Sequence, residues 1–170
     1  GGALGDKPQT AIVEGVSNVT DVAAGRFHSL SRRADGSVWF CGDWRVPYAS
    51  PRATANVVGR LREVAGLPFI VRVASGARHM LALDADGRLW AWGHNGSGQL
   101  GDGSRIDRTV PALVLTNVQD MAAGDGHSLA VAKDGRLWSW GANAHGQLGL
   151  GDTVPRPTPT RAVTITNAAA

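Results

Sequence analysis

The sequence predicts an all-β fold made of β-propeller blades, each a four-stranded antiparallel sheet. Three observations carry this. A unit of about 50 residues recurs along the 170-residue chain, and radially repeated antiparallel sheets of that size describe propeller blades. The apolar segments alternate with a period of two, and no stretch sustains the 3.6-residue apolar period of a capped helix. The chain also carries 23 glycines. That load suits short strands and tight turns, since each glycine inside a helix costs about 1 kcal/mol relative to alanine.

The elements emerge from aligning "VAAGRFHSLSRRADGSVWFCG" (22–42), "VASGARHMLALDADGRLWAWG" (73–93) and "MAAGDGHSLAVAKDGRLWSWG" (121–141). The anchors His28, His79 and His127 stand 51 and 48 residues apart, and Gly25, Gly76 and Gly124 keep that spacing. The opening small residues predict a strand for a crowded position where sheets converge. Each histidine then begins a second strand, its ring expected to bond to backbone. Asp35-Gly36, Asp86-Gly87 and Asp134-Gly135 predict hairpins, because glycine accepts the positive φ of a tight turn. In the third strand Trp90 and Trp92 share one face, with Leu89 and Ala91 on the other. Trp138 and Trp140 repeat this against Leu137 and Ser139, and Gly42, Gly93 and Gly141 close the unit.

The second half repeats as well. "GQLGDGSRIDRTVPALVLTNV" (98–118) matches "GQLGLGDTVPRPTPTRAVTITN" (146–167), and "GALGDKPQTAIVEGVSNV" (2–19) is a weaker copy. Residues 1–170 therefore read as a single propeller-repeat region of about 3.5 repeats, with a partial repeat over 1–21 and units over 22–72, 73–120 and 121–167. Such a chain is expected to be a partial propeller, closed by homo-oligomerisation or by additional blades, because an open stack exposes apolar faces and strand edges.

The pattern "G..HSLAV..DGRLWSWG.N..GQLG.G" resembles the repeat of the regulator of chromosome condensation family; the second and third repeats match almost throughout and the first only in its first half. The resemblance implies a propeller, usually of about seven blades, that serves as a binding platform. The family's nucleotide exchange on a small GTPase is not carried over, since no protruding exchange element maps onto this sequence.

No constellation combines a nucleophile, a base and an oxyanion donor, so no enzyme is expected and no catalytic residue is assigned. "GSGQLG" (96–101) fits the dinucleotide fingerprint, but "AHGQLG" in the next repeat loses its first glycine. It leads into a polar loop ending in Pro111, where a phosphate site needs a helix. No cofactor is expected. The repeat histidines are related by the blade rotation and need not converge, so no metal is expected either. Cys41 stands in the slot of Trp92 and Trp140 and reads as a core position carrying a smaller residue. A net charge of +3 is too mild for a nucleic-acid face, and no apolar run reaches a membrane span.

Departures from the repeat hold the candidate contacts. Repeat one replaces "N..GQLG" with "DWRVPYASPRATANVVGRLREVAG" (43–66), bringing Trp44, Arg45, Tyr48 and Arg52, residue types enriched at binding hot spots. Read structurally, this is a degenerate loop whose aromatics cover the blade edge. The pair before each repeat histidine also varies, adding Arg26, Phe27, Arg78 and Asp125. The expected function is a non-enzymatic module that binds a protein partner through these loops. A structural segment of a larger repeat protein and an enzyme-inhibitory propeller are the alternatives.

Overall fold

The computed structural model describes residues 17–45 and 61–162, and those residues form strands and turns without a helix. The first sheet holds β1 (Val19–Ala24), β2 (His28–Arg33), β3 (Val38–Gly42) and β4 (Arg62–Glu63). The second holds β5 (Ile70–Ser75), β6 (His79–Asp84), β7 (Leu89–Gly93) and β8 (Arg108–Leu115). The third holds β9 (Val118–Ala123), β10 (His127–Ala132), β11 (Leu137–Gly141) and β12 (Arg156–Arg161). Each is a four-stranded antiparallel meander in chain order. The protein is all-β, and among the described residues three blades make a partial propeller.

The hairpins between second and third strands have three-residue loops. Asp84 N donates to Arg88 O at 3.0 Å and Gly87 N to Asp84 O at 3.1 Å, with Gly87 at φ +84°. This is a type I turn closed by a left-handed glycine, and Gly36 and Gly135 repeat it. The outer strands begin earlier than the sequence suggests. β8 starts at Arg108 and runs through Pro111, so the polar loop ends before that proline. β8 pairs only with β7, and an edge strand tolerates the missing N–H. β12 holds Pro157 and Pro159 in the same edge setting.

Blades stack face to face, which buries both faces of the middle one. Trp92 and Met80 pack toward blade 1 with Leu30, Val38, Trp44 and Ile70. The opposite face, Leu81, Leu89 and Ala91, packs with Leu100, Val118, Met121 and Trp140 toward blade 3. The alternation of tryptophan and small residue thus assigns each face of the third strand to a different neighbour. Complete burial of a large apolar side chain such as Leu81 or Leu89 stabilises by about 1.5–3 kcal/mol.

At the inner end the blades are linked through backbone. Arg26 N donates to Ala77 O at 3.0 Å, and Ala77 N to Asp125 O at 3.2 Å. Here the small residues become intelligible. A Cβ on Gly76 would lie 2.2 Å from the His79 ring and 2.4 Å from Gly124 O.

Candidate interaction surface

Two of the repeat histidines, His28 and His79, are junction residues. His28 Nε2 lies 2.7 Å from Ser75 Oγ, and His79 Nε2 lies 2.8 Å from Ser128 Oγ, each serine belonging to the next blade. Both hydroxyls donate onward, Ser75 to Gly76 O at 3.1 Å and Ser128 to Gln99 O at 2.9 Å. Each hydroxyl proton is therefore committed, so the imidazole donates from Nε2. Nδ1 of both rings is buried without a partner among the described residues. Burial pushes His28 down to about 4 and, helped by the neighbouring histidine charges, His79 down to about 3. For His28 and His79 the expectation that the repeat rings bond to backbone is corrected. They reach a serine of the following blade, because the adjacent backbone groups are already paired in the strand ladder.

The two serines do not occupy equivalent repeat positions. Ser128 aligns with Ser29 and Met80, whereas Ser75 aligns with Ala24 and Ala123. The reason lies in the "N..GQLG" segment. Asn95 holds that loop, its side-chain N–H groups donating to Ser104 O and Ile106 O at 3.2 Å while its Oδ1 accepts from Leu100 N at 3.0 Å. The loop so held presents Gln99 O to Ser128 and also to Trp140 Nε1 at 2.9 Å. Repeat one lacks this segment in sequence, and the position aligned with Ser128 holds Met80, fully buried. Asn143 repeats the arrangement in blade 3, accepting from Leu148 N at 3.0 Å and donating to Val154 O at 3.1 Å.

Where Leu100 fills the junction between blades 2 and 3, Trp44 fills the one between blades 1 and 2. It is 7% exposed, and beside it a groove of about 290 Å³ is lined by Phe40, Arg45, Arg62, Trp92 and Pro111. Burial leaves little of the Trp44 ring for a partner, so its place among the contact residues is corrected to that of an anchor. Arg78 fixes the same turn, Nε donating to Trp44 O at 2.8 Å and Nη2 to Arg45 O at 3.1 Å.

Three of the remaining candidates share a depression: Arg26, Arg78 and Asp125 line it with His94, Ser97 and Gln99. Phe27, 41% exposed, lies 5.6 Å from the Arg26 guanidinium in cation–π geometry. Arg45 projects outward and pairs with Asp43 at 3.2 Å. Tyr48 and Arg52 lie outside the described residues. His94 pairs with Asp107 at 3.0 Å. Among the described residues, no three His, Cys, Asp or Glu side chains are gathered as a metal site. Sequence reasoning missed Ser75, Ser128, Gln99 and the tether role of Arg78; the shared "N..GQLG" spacing was the available signal for the loop.

Residues 86–131 and 134–168 match the regulator of chromosome condensation (RCC1) repeat, and a second description of that repeat matches residues 19–43, 70–99 and 118–147. The human E3 ubiquitin-protein ligase HERC2 is 33% identical over 116 residues, spanning 61% of this chain and 2% of that protein. The ultraviolet-B receptor UVR8 of Arabidopsis thaliana is 30% identical over 118 residues, 65% of this chain and 27% of the receptor. Among solved structures, yeast RCC1 (Prp20) bound to Kap60 superposes with a TM-score of 0.74 at 28% identity, over 88% of this chain and 36% of that one. Human WBSCR16 superposes with a TM-score of 0.72 at 26% identity, over 87% of this chain and 40% of that one. The chain thus spans well under half the length of each.

Proposed function

Because the chain belongs to the regulator of chromosome condensation repeat family, we propose that it is a non-enzymatic interaction module that holds a protein partner on the face built by the connections before each repeat histidine. The observation that supports this most is the gathering of Arg26, Phe27, Arg78 and Asp125 on one face, an apolar ring set among charges of both signs. Clusters of arginine and aromatic side chains supply most of the energy in protein interfaces. The yeast RCC1 relative crystallised with Kap60 is a precedent for a protein ligand, and the partner here is of that general class.

The test uses Phe27 and Arg45, which are exposed and outside the core clusters. Partners captured from source extract by the wild-type chain are identified by mass spectrometry, and their affinities are then measured against a Phe27→Ala/Arg45→Ala double variant. Affinity is expected to fall at least tenfold, with the melting temperature unchanged. Undiminished affinity in the double variant would remove this face from consideration.

A further inference from the structure

The loop between β7 and β8 hangs on one side chain. Asn95 has no exposure, and its amide is bonded at both ends. Nδ2 donates to Asp102 Oδ1 at 3.1 Å and to Ser104 O and Ile106 O at 3.2 Å, while Oδ1 accepts from Leu100 N at 3.0 Å. The residue that follows, Gly96, is exposed. An asparagine before a glycine carries its own nucleophile, because a glycine N unhindered by a Cβ can reach the asparagine Cγ. The corresponding pair in blade 3 is Asn143-Ala144. Asn143 is 1% exposed in a matching cage, donating to Asp152 Oδ1 and Val154 O at 3.1 Å and accepting from Leu148 N at 3.0 Å. The two cages differ in the reactive neighbour.

Attack would turn the planar amide carbon tetrahedral, and it needs water to carry protons to and from that carbon. A buried amide fixed at both ends permits neither, so the closed loop protects Asn95. The acid formed by the reaction has no way back into the cage. An oxygen in place of Nδ2 would face Ser104 O, Ile106 O and Asp102 Oδ1, all acceptors. The Ser104 hydroxyl beside it already donates to Asp102 Oδ1 at 2.8 Å. A buried acceptor without a donor is costly, and two carboxylates sharing one site repel.

We propose that Asn95 is a spontaneous modification site, intact while the loop is closed and converted to aspartate or isoaspartate once it opens, so that one reaction both records the opening and prevents reclosure. Gly96 N attacks Cγ, the N–Cγ bond forms and the Cγ–Nδ2 bond breaks. Nδ2 leaves as ammonia with the proton from Gly96 N, and water then opens the cyclic imide at either carbonyl. The junction of blades 2 and 3 pays for it, since this loop presents Gln99 O to Ser128 and Trp140. The inference is independent of the partner-binding reading, because it is read out by peptide mass and by unfolding.

The full chain is incubated at neutral pH with and without urea, and conversion is followed by peptide mass spectrometry. Asn95 is expected to persist in buffer and to convert at least about tenfold faster in urea that opens the loop, with Asn143 lagging behind it in urea. Gly96→Ala, which places the blade 3 residue here, should suppress that conversion. Its Cβ would press on the half-buried His94 ring at 2.9 Å, which can turn aside, so the unfolding midpoint should stay close to wild type. Returned to buffer, the converted chain should show faster hydrogen exchange at Leu100 N and a lower urea midpoint, and Asn95→Asp should reproduce both. Equal conversion in buffer and in urea would overturn the proposal, as would undiminished conversion in Gly96→Ala. So would a converted chain that keeps the Leu100 protection and midpoint of the unreacted one.

Discussion

Trp44 illustrates how one side chain can substitute for a missing motif. The first repeat lacks the leucine that Leu100 supplies one junction later, and the indole takes up part of that space, packed with Leu30, Met80 and Trp92. Truncation would leave a cavity that backbone pinned by Arg78 cannot readily collapse into. Trp44→Ala is therefore expected to cost about 3–5 kcal/mol, measured by denaturant unfolding; a cost below about 1 kcal/mol would show that the ring is not an anchor. The position was legible as a departure from the repeat but not as a buried one. Tryptophan and arginine in an irregular segment satisfy the composition of a binding loop and of a junction filler equally well. By contrast, Gly76 was legible through its neighbours, because a repeated small-small-glycine stretch implies close approach. What it approaches, the ring of His79 three residues on, is a local contact that spacing suggests but only coordinates identify.

At the scale of the strand, the outer edges and the junction clasps behave differently. Prolines in β8 and β12 look like strand breakers in sequence, yet both strands form because an edge position leaves the missing donor unneeded. The second strands were read more easily, their start fixed by the histidine and their end by Asp-Gly. Their cross-blade bonds were not, since His28 and Ser75 are 47 residues apart and His79 and Ser128 are 49 apart. An alignment of repeats cannot show partners at non-equivalent positions. The clasp has a measurable weight. Ser128→Ala removes the acceptor for His79 Nε2 and one donor to Gln99 O in a site with no exposure. The loss should be about 1–3 kcal/mol, read from the shift of the urea midpoint. Ser29→Ala, at the aligned but exposed position, should cost far less; equal losses for the two would refute the clasp.

Over the whole molecule, the neutral histidines make stability depend on pH. An unfolded chain protonates them near 6.5, whereas the folded chain holds His28 down to about 4 and His79 to about 3. Below 6.5 the unfolded state binds more protons, so stability is complete above that pH and drains away as the pH falls toward the folded values. At pH 5 the loss is roughly 2 kcal/mol per buried histidine. Melting temperature should fall between pH 7 and pH 5, and the fall should shrink in His79→Gln even though that variant starts lower. A profile flat through this range would contradict the neutral, buried assignment. The blade architecture was readable from periodicity because every blade repeats it. The way blades grip one another was not, because each junction solves the problem with different atoms. That difference has a consequence for how the chain can be rearranged. Its repeats look like interchangeable modules, but each is cut to one predecessor: a transposed second repeat would bring Met80, which has no donor, against a glutamine carbonyl that expects one. Order is encoded at the seams, and the sequence is closer to a sentence than to a string of identical beads.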